Sequence, residues 1–119
     1  MKILLSDSVA YQKAKQFAKR VVLLGKHLRD EHQEYILSKQ IVRSGTSIGA
    51  NIAEARCGCS RKDFINKIYI ALKECAETLY WIDLLHDTDY LTDEEFESMN
   101  ADCEELRKIL SATTKAVQL

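Results

Sequence analysis

Apolar residues recur at alternating four- and three-residue steps from near the start of the chain, and that spacing leaves few folds open. Ala10, Ala14, Phe17, Val21, Leu24 and Leu28 form one unbroken series, the stripe that an α-helix buries along one side. Ile65, Ile68, Leu72, Cys75, Leu79 and Ile82 form a second, and Phe96, Met99, Cys103, Leu106, Leu110, Thr113 and Val117 a third. No segment sustains the two-residue alternation of a strand. Proline is absent and glycine occurs 4 times in 119 residues, which suits long helices joined by short turns. One domain of that length buries about two-thirds of its unfolded surface. The pattern predicts helices over roughly residues 8–30, 33–57, 60–87 and 92–117. The expected fold is all-α: a single antiparallel up-down four-helix bundle over residues 1–119. Ser60 with Asp63 and Thr92 with Glu95 have the spacing of capping boxes and mark the starts of the last two helices.

The second helix departs from this regularity. Its segment Arg43-Ser44-Gly45-Thr46-Ser47-Ile48-Gly49-Ala50-Asn51-Ile52-Ala53-Glu54-Ala55 puts small and polar residues where a bundle helix carries Leu. Following Leu37 and Ile41, the inward positions are Ser44, Ile48, Asn51 and Ala55. A buried hydroxyl or amide costs stability unless partnered, so Ser44, Ser47 and Asn51 read as a buried polar seam that fixes register. Ser44 and Asn51 are expected to bond to the third helix or to a neighbouring subunit. Beside them Gly45, Gly49 and Ala53 recur every four residues and form a strip flat enough for another backbone to approach. Each helical glycine costs about 1 kcal/mol against alanine, so that approach must be needed.

This segment, with Ser60, Asp63-Phe64-Ile65, Ile70-Ala71-Leu72-Lys73-Glu74 and Glu77-Thr78, resembles a bacterial four-helix-bundle family. The founding members of that family are encoded in intervening sequences of 23S ribosomal RNA genes. The likeness spans nearly the whole chain. It implies an up-down bundle, a ring-like homo-oligomer with a pentamer favoured, and no known enzyme activity. A similar bundle serves diversity-generating retroelements as an accessory protein that binds nucleic acid and the reverse transcriptase.

The third helix carries more apolar surface than one seam requires. Ile70, Trp81 and Leu84 lie away from the seam, where a monomer would place charge. Several apolar residues on one outer face indicate a contact surface, and oligomerisation is the simplest use of it. A hydrophobic ligand groove, or a chain path that buries these side chains within the monomer, would serve as well.

Formal charge is −1 over the whole chain. Residues 1–62 nevertheless hold 12 Lys/Arg against 5 Asp/Glu, and residues 63–119 hold 5 against 13. Such halves should present one basic and one acidic region. Lys13, Lys15, Lys19, Arg20, Lys26 and Arg29 on the first helix, with Arg56, Arg61 and Lys62 at a helix junction, are the candidate contacts for RNA or DNA phosphates. Against that use stands a pI of 6.3, well below the value of about 9 expected of a nucleic-acid-binding domain. Base stacking would also need aromatic residues among these positions, and none is interleaved with them.

Catalytic chemistry has little to stand on. Di-iron bundles need a Glu-x-x-His on each of two helices, and the nearest motif is the lone Asp83-Leu84-Leu85-His86. Cys57-Gly58-Cys59 has no second pair at zinc spacing. Gly45-Thr46-Ser47 lies mid-helix and lacks a phosphate-loop lysine. No catalytic residue, cofactor or metal ligand is therefore assigned. No apolar run approaches the roughly 20 residues of a membrane span, and an early Asp7 argues against a signal peptide, so a cytoplasmic location is expected. The favoured function is a non-enzymatic, oligomeric protein-interaction scaffold. Its acidic last helix (Asp93, Glu94, Glu95, Glu97, Asp102, Glu104, Glu105) would face a basic protein partner. The alternative is a nucleic-acid-binding accessory protein using the basic first half.

Overall fold

Four helices account for nearly all of the computed structural model, which describes residues 4–57 and 60–118. They are α1 (Leu4–His32), α2 (Leu37–Ala55), α3 (Arg61–Asp87) and α4 (Asp93–Gln118), with no strand among the described residues. α1 packs against α2, α2 against α3 and α3 against α4, while α1 meets α4 through a thinner contact. The result measures 45 × 21 × 18 Å.

Local chemistry sets the helix ends. Gln33 adopts a left-handed φ of 51° and stops α1. The Glu34 carboxylate then accepts the backbone N–H groups of Ile36, Leu37 and Ser38 at 3.2, 3.0 and 2.7 Å. That cap takes up residues 33–36 as a turn, so α2 starts at Leu37 rather than near residue 33. α3 ends on a Schellman motif, with Asp89 at φ 66° and the N–H of Tyr90 donating to the Leu85 carbonyl at 2.9 Å. At the α3 start, Ser60 Oγ accepts the Asp63 N–H at 3.0 Å. Thr92 and Glu95 form a full reciprocal capping box at 2.8 and 3.1 Å.

The core follows the expected α1 series except that Leu24 is only half-buried, toward α4. On α3 the inward stripe is Phe64, Ile68, Ala71, Cys75, Thr78, Ile82 and Leu85. Ile65, Leu72 and Leu79, expected on the seam, flank it half-buried. Both series run at 3-4 spacing and share Ile68, Cys75 and Ile82, so periodicity alone does not choose between them. Thr78 finds a polar partner on α2, and the helix turns the small Ala71 and Thr78 inward.

The glycine strip of α2 lies against α1 within the same chain. A Cβ at Gly45 would stand 2.8 Å from both methyls of Val21, and one at Gly49 would stand 3.5 Å from Ala14 Cβ. Gly25 extends the strip from the α1 side, because a Cβ there would overlap a Val42 methyl. Ala53, expected to belong to the strip, is exposed. Gly49→Ala should stabilise the fold by up to about 1 kcal/mol, since ordinary contact joins a gain in helix propensity. Gly45→Ala should destabilise it, because overpacking costs about 1–3 kcal/mol. Urea titration of the two variants checks both signs.

Candidate interaction surfaces

A polar seam does join α2 to α3, through fewer residues than the sequence suggested. The hydroxyls of Ser44 and Thr78 share a hydrogen bond of 2.9 Å, and both residues are fully buried. Thr78 gives its one hydroxyl proton to the Glu74 carbonyl at 2.7 Å, so the Ser44 hydroxyl is the donor across the seam. Asn51 is buried, but its amide serves its own helix, donating to the Ser47 carbonyl at 2.8 Å and to Ser47 Oγ at 3.3 Å. Within one chain the Asn51 amide thus bonds to an i−4 acceptor of its own helix and not to the third helix, the first of the two partners expected for it; a neighbouring subunit is the other. Ser47, expected buried, is half-buried.

Beside this seam sits an ionic cluster whose carboxylates, Glu74 and Glu77, belong to the motif read from the sequence, but whose partner, Arg43, was not foreseen. Arg43 pairs with Glu74 at 3.3 Å and with Glu77, and the Trp81 indole N–H donates to the same Glu77 carboxylate at 3.0 Å. The signal was present as two carboxylates one helical turn apart on α3, opposite a lone arginine on α2. Trp81 is thereby held half-buried, with Tyr80 edge-on to it at 5.0 Å between ring centroids. Leu84 is half-buried as well, whereas Ile70, Tyr69 and Tyr80 are exposed at 38, 41 and 59%. The outer side of α3 thus carries two groups of apolar and aromatic side chains, Tyr69–Ile70 and Tyr80–Trp81–Leu84, with Lys73, Glu74 and Glu77 between them.

The basic candidates divide into two groups. Lys13 pairs with Glu105 at 3.3 Å, and Arg20 pairs with Asp102 at 2.6 Å while donating to Ser98 Oγ at 2.9 Å. These two residues close the α1–α4 side. Arg56 stacks its guanidinium over Tyr11 at 4.4 Å, and Arg61 donates to the Val117 carbonyl at the end of α4. Lys15, Lys19, Lys26, Arg29 and Lys62 are exposed, and no ion pair with another described residue engages them. From Lys15 to Arg29 the outward row on α1 runs about 21 Å at 1.5 Å per residue. Lys67, at the α2–α3 junction, pairs with Glu54 at 2.9 Å.

Groups with chemical potential are otherwise engaged or buried. Cys103 Sγ donates to the Cys75 carbonyl at 3.6 Å, and both cysteines are fully buried. Its hydrogen bond with the Cys75 side chain, reinforced by burial, pushes the Cys103 thiol far above its ordinary range, so it stays protonated. His86 closes the α3–α4 turn against Asp93 at 2.7 Å and stacks on Phe96. Cys57 is exposed, and Cys59 of the Cys57-Gly58-Cys59 pair lies outside the described residues. Among the described residues, no group of His, Cys, Asp and Glu could hold a metal ion, and no helix is long and apolar enough to cross a membrane.

The sequence profile of the family described as 23S rRNA-intervening sequence protein matches residues 6–112. The chain belongs to this family. A solved structure similar to it is the 1.70 Å crystal structure of a protein of unknown function from the S23 ribosomal protein family of Bacteroides thetaiotaomicron VPI-5482. It is 53% identical, superposes with a TM-score of 0.91, and the match covers 92% of this chain and 98% of that one. No curated protein matches. Family membership therefore supports the four-helix fold and leaves the role to be argued from the surfaces.

Proposed function

We propose that this family member is a non-enzymatic protein-interaction scaffold of the cytoplasm. In this reading its up-down bundle assembles into a ring-like homo-oligomer, with a pentamer favoured by family resemblance. The observation that carries the reading is the outer side of α3, where Ile70 and Tyr80 stand exposed beside half-buried Trp81 and Leu84. An isolated bundle gains nothing from such exposed groups, whereas a contact between copies would bury them. The carboxylates at the start of α4 are then left to meet a basic protein partner. Light scattering tests the assembly, and affinity capture under mild salt tests the partner; a monomer that captures no protein contradicts the reading.

A second reading is favoured by the row Lys15, Lys19, Lys26 and Arg29, which is in no ion pair among the described residues: binding of RNA or DNA through phosphates. Its affinity should fall steeply with salt, because each neutralised phosphate releases a counterion. Lys19→Glu with Lys26→Glu should weaken binding to all sequences alike, since phosphate contacts position without specifying. Anisotropy titrations with mixed-sequence single and double strands check this. No binding at tens of micromolar protein, or binding indifferent to the double reversal, removes α1 as the site.

A further inference from the structure

Folding sorts the charge of this chain along the long axis of the molecule and not between its two sequence halves. One end gathers residues 9–15, 51–57, 60–70 and 104–118, as the contacts of Arg56 with Tyr11, Lys67 with Glu54, Lys13 with Glu105 and Arg61 with Val117 show. Those residues hold 9 Lys/Arg against 4 Asp/Glu, a net +5. The opposite end gathers residues 24–42 and 78–98, joined by Gly25 against Val42, His32 against Tyr90 and His86 against Asp93. With Arg20, which reaches Ser98 at the same level, they hold 4 Lys/Arg against 10 Asp/Glu, a net −6. A nearly neutral chain is thus a strongly polar rod of 45 Å.

Much of this charge is uncommitted. Asp87, Asp89, Glu94 and Glu97 at the acidic end, and Lys62, Lys108 and Lys115 at the basic end, are exposed and in no ion pair among the described residues. The acidic end also carries an apolar tip, Tyr35 and Ile36 on the α1–α2 turn, exposed at 60 and 74%. Long basic side chains at the other end offer that tip aliphatic stems, and their charged heads offer the Tyr35 ring cation–π contact.

We propose that copies of this chain associate end to end, with the acidic end and Tyr35–Ile36 tip of one on the basic end of the next. A second copy is the partner that carries both poles, of opposite sign and similar size. The contact is heterologous, and repetition along the axis does not close, so it builds linear stacks. It goes beyond the lateral ring of the preceding subsection and does not require it.

Light scattering of the full-length protein over a concentration series tests the proposal at two ionic strengths. At roughly 0.01 M the screening length is about 30 Å, and at 1 M it is about 3 Å. High-salt mass reports any lateral ring separately. At low salt the mass should pass twice the high-salt value and keep rising with concentration. Carbodiimide cross-linking at low salt should join Lys62 or Lys115 to Asp87 or Glu94, a link that opposite ends of a 45 Å rod cannot form within one copy. Lys62→Glu with Lys115→Glu should abolish both signals, and Ile36→Ser should weaken them without changing helicity. Equal masses at the two salts overturn the proposal. So does a plateau at twice the high-salt mass, which would mean an antiparallel side-by-side pair.

Discussion

Ile70→Glu combined with Tyr80→Glu is expected to dissociate the proposed homo-oligomer while leaving the bundle folded. Both side chains point out from α3, at 38 and 59% exposure, so neither supports the core of its own chain. In a lateral contact each would be desolvated, and a buried carboxylate without a partner carries a penalty of several kcal/mol. A loss of about 3 kcal/mol at each contact corresponds to a weakening of roughly two orders of magnitude. The mass at micromolar concentration should therefore fall to that of one chain with unchanged circular dichroism. Retained mass would move the contact off α3.

Thr78→Val should be the most damaging isosteric change on the seam. It leaves the Ser44 hydroxyl fully buried beside a methyl where it had a 2.9 Å partner, at a cost of about 1–3 kcal/mol. Ser44→Ala should cost less, because Thr78 keeps its bond to the Glu74 carbonyl. The double variant should be less unstable than the sum of the two, as residues sharing one hydrogen bond are not additive. Chemical denaturation of the four proteins gives the coupling directly. Strict additivity would mean that the two hydroxyls do not act as a pair.

How legible the molecule was in its sequence differs from helix to helix. On α1 the single series from Ala10 to Leu28 has no competitor, and it marks the inward side with only Leu24 turned partly out. α3 carries apolar residues on more than one side, so two stripes sharing Ile68, Cys75 and Ile82 fit equally well. Tertiary pairing of Thr78 with Ser44 decides between them. The Glu34 cap was hidden because a glutamate is not a usual N-cap residue, and its carboxylate reaches three amides only once Gln33 has turned the chain.

The charged surfaces were the least readable. Lys13 and Arg20 belong to the same basic helix as Lys19 and Lys26, yet they sit toward α4 and are neutralised there. Counting by sequence halves also misplaced the poles. Lysines 62, 67 and 73 and aspartates 83, 87 and 89 follow one another along α3 and its turn, so the charge changes sign along the helix and not between helices. Which residues share an end is a property of topology, and composition does not contain it.

The oligomeric scaffold reading is tested most directly by the mass of the native protein in solution at high salt, measured by multi-angle light scattering across micromolar concentrations. The account predicts a constant multiple of the 13.6 kDa chain, with a pentamer favoured. A mass of one chain throughout that range would contradict it.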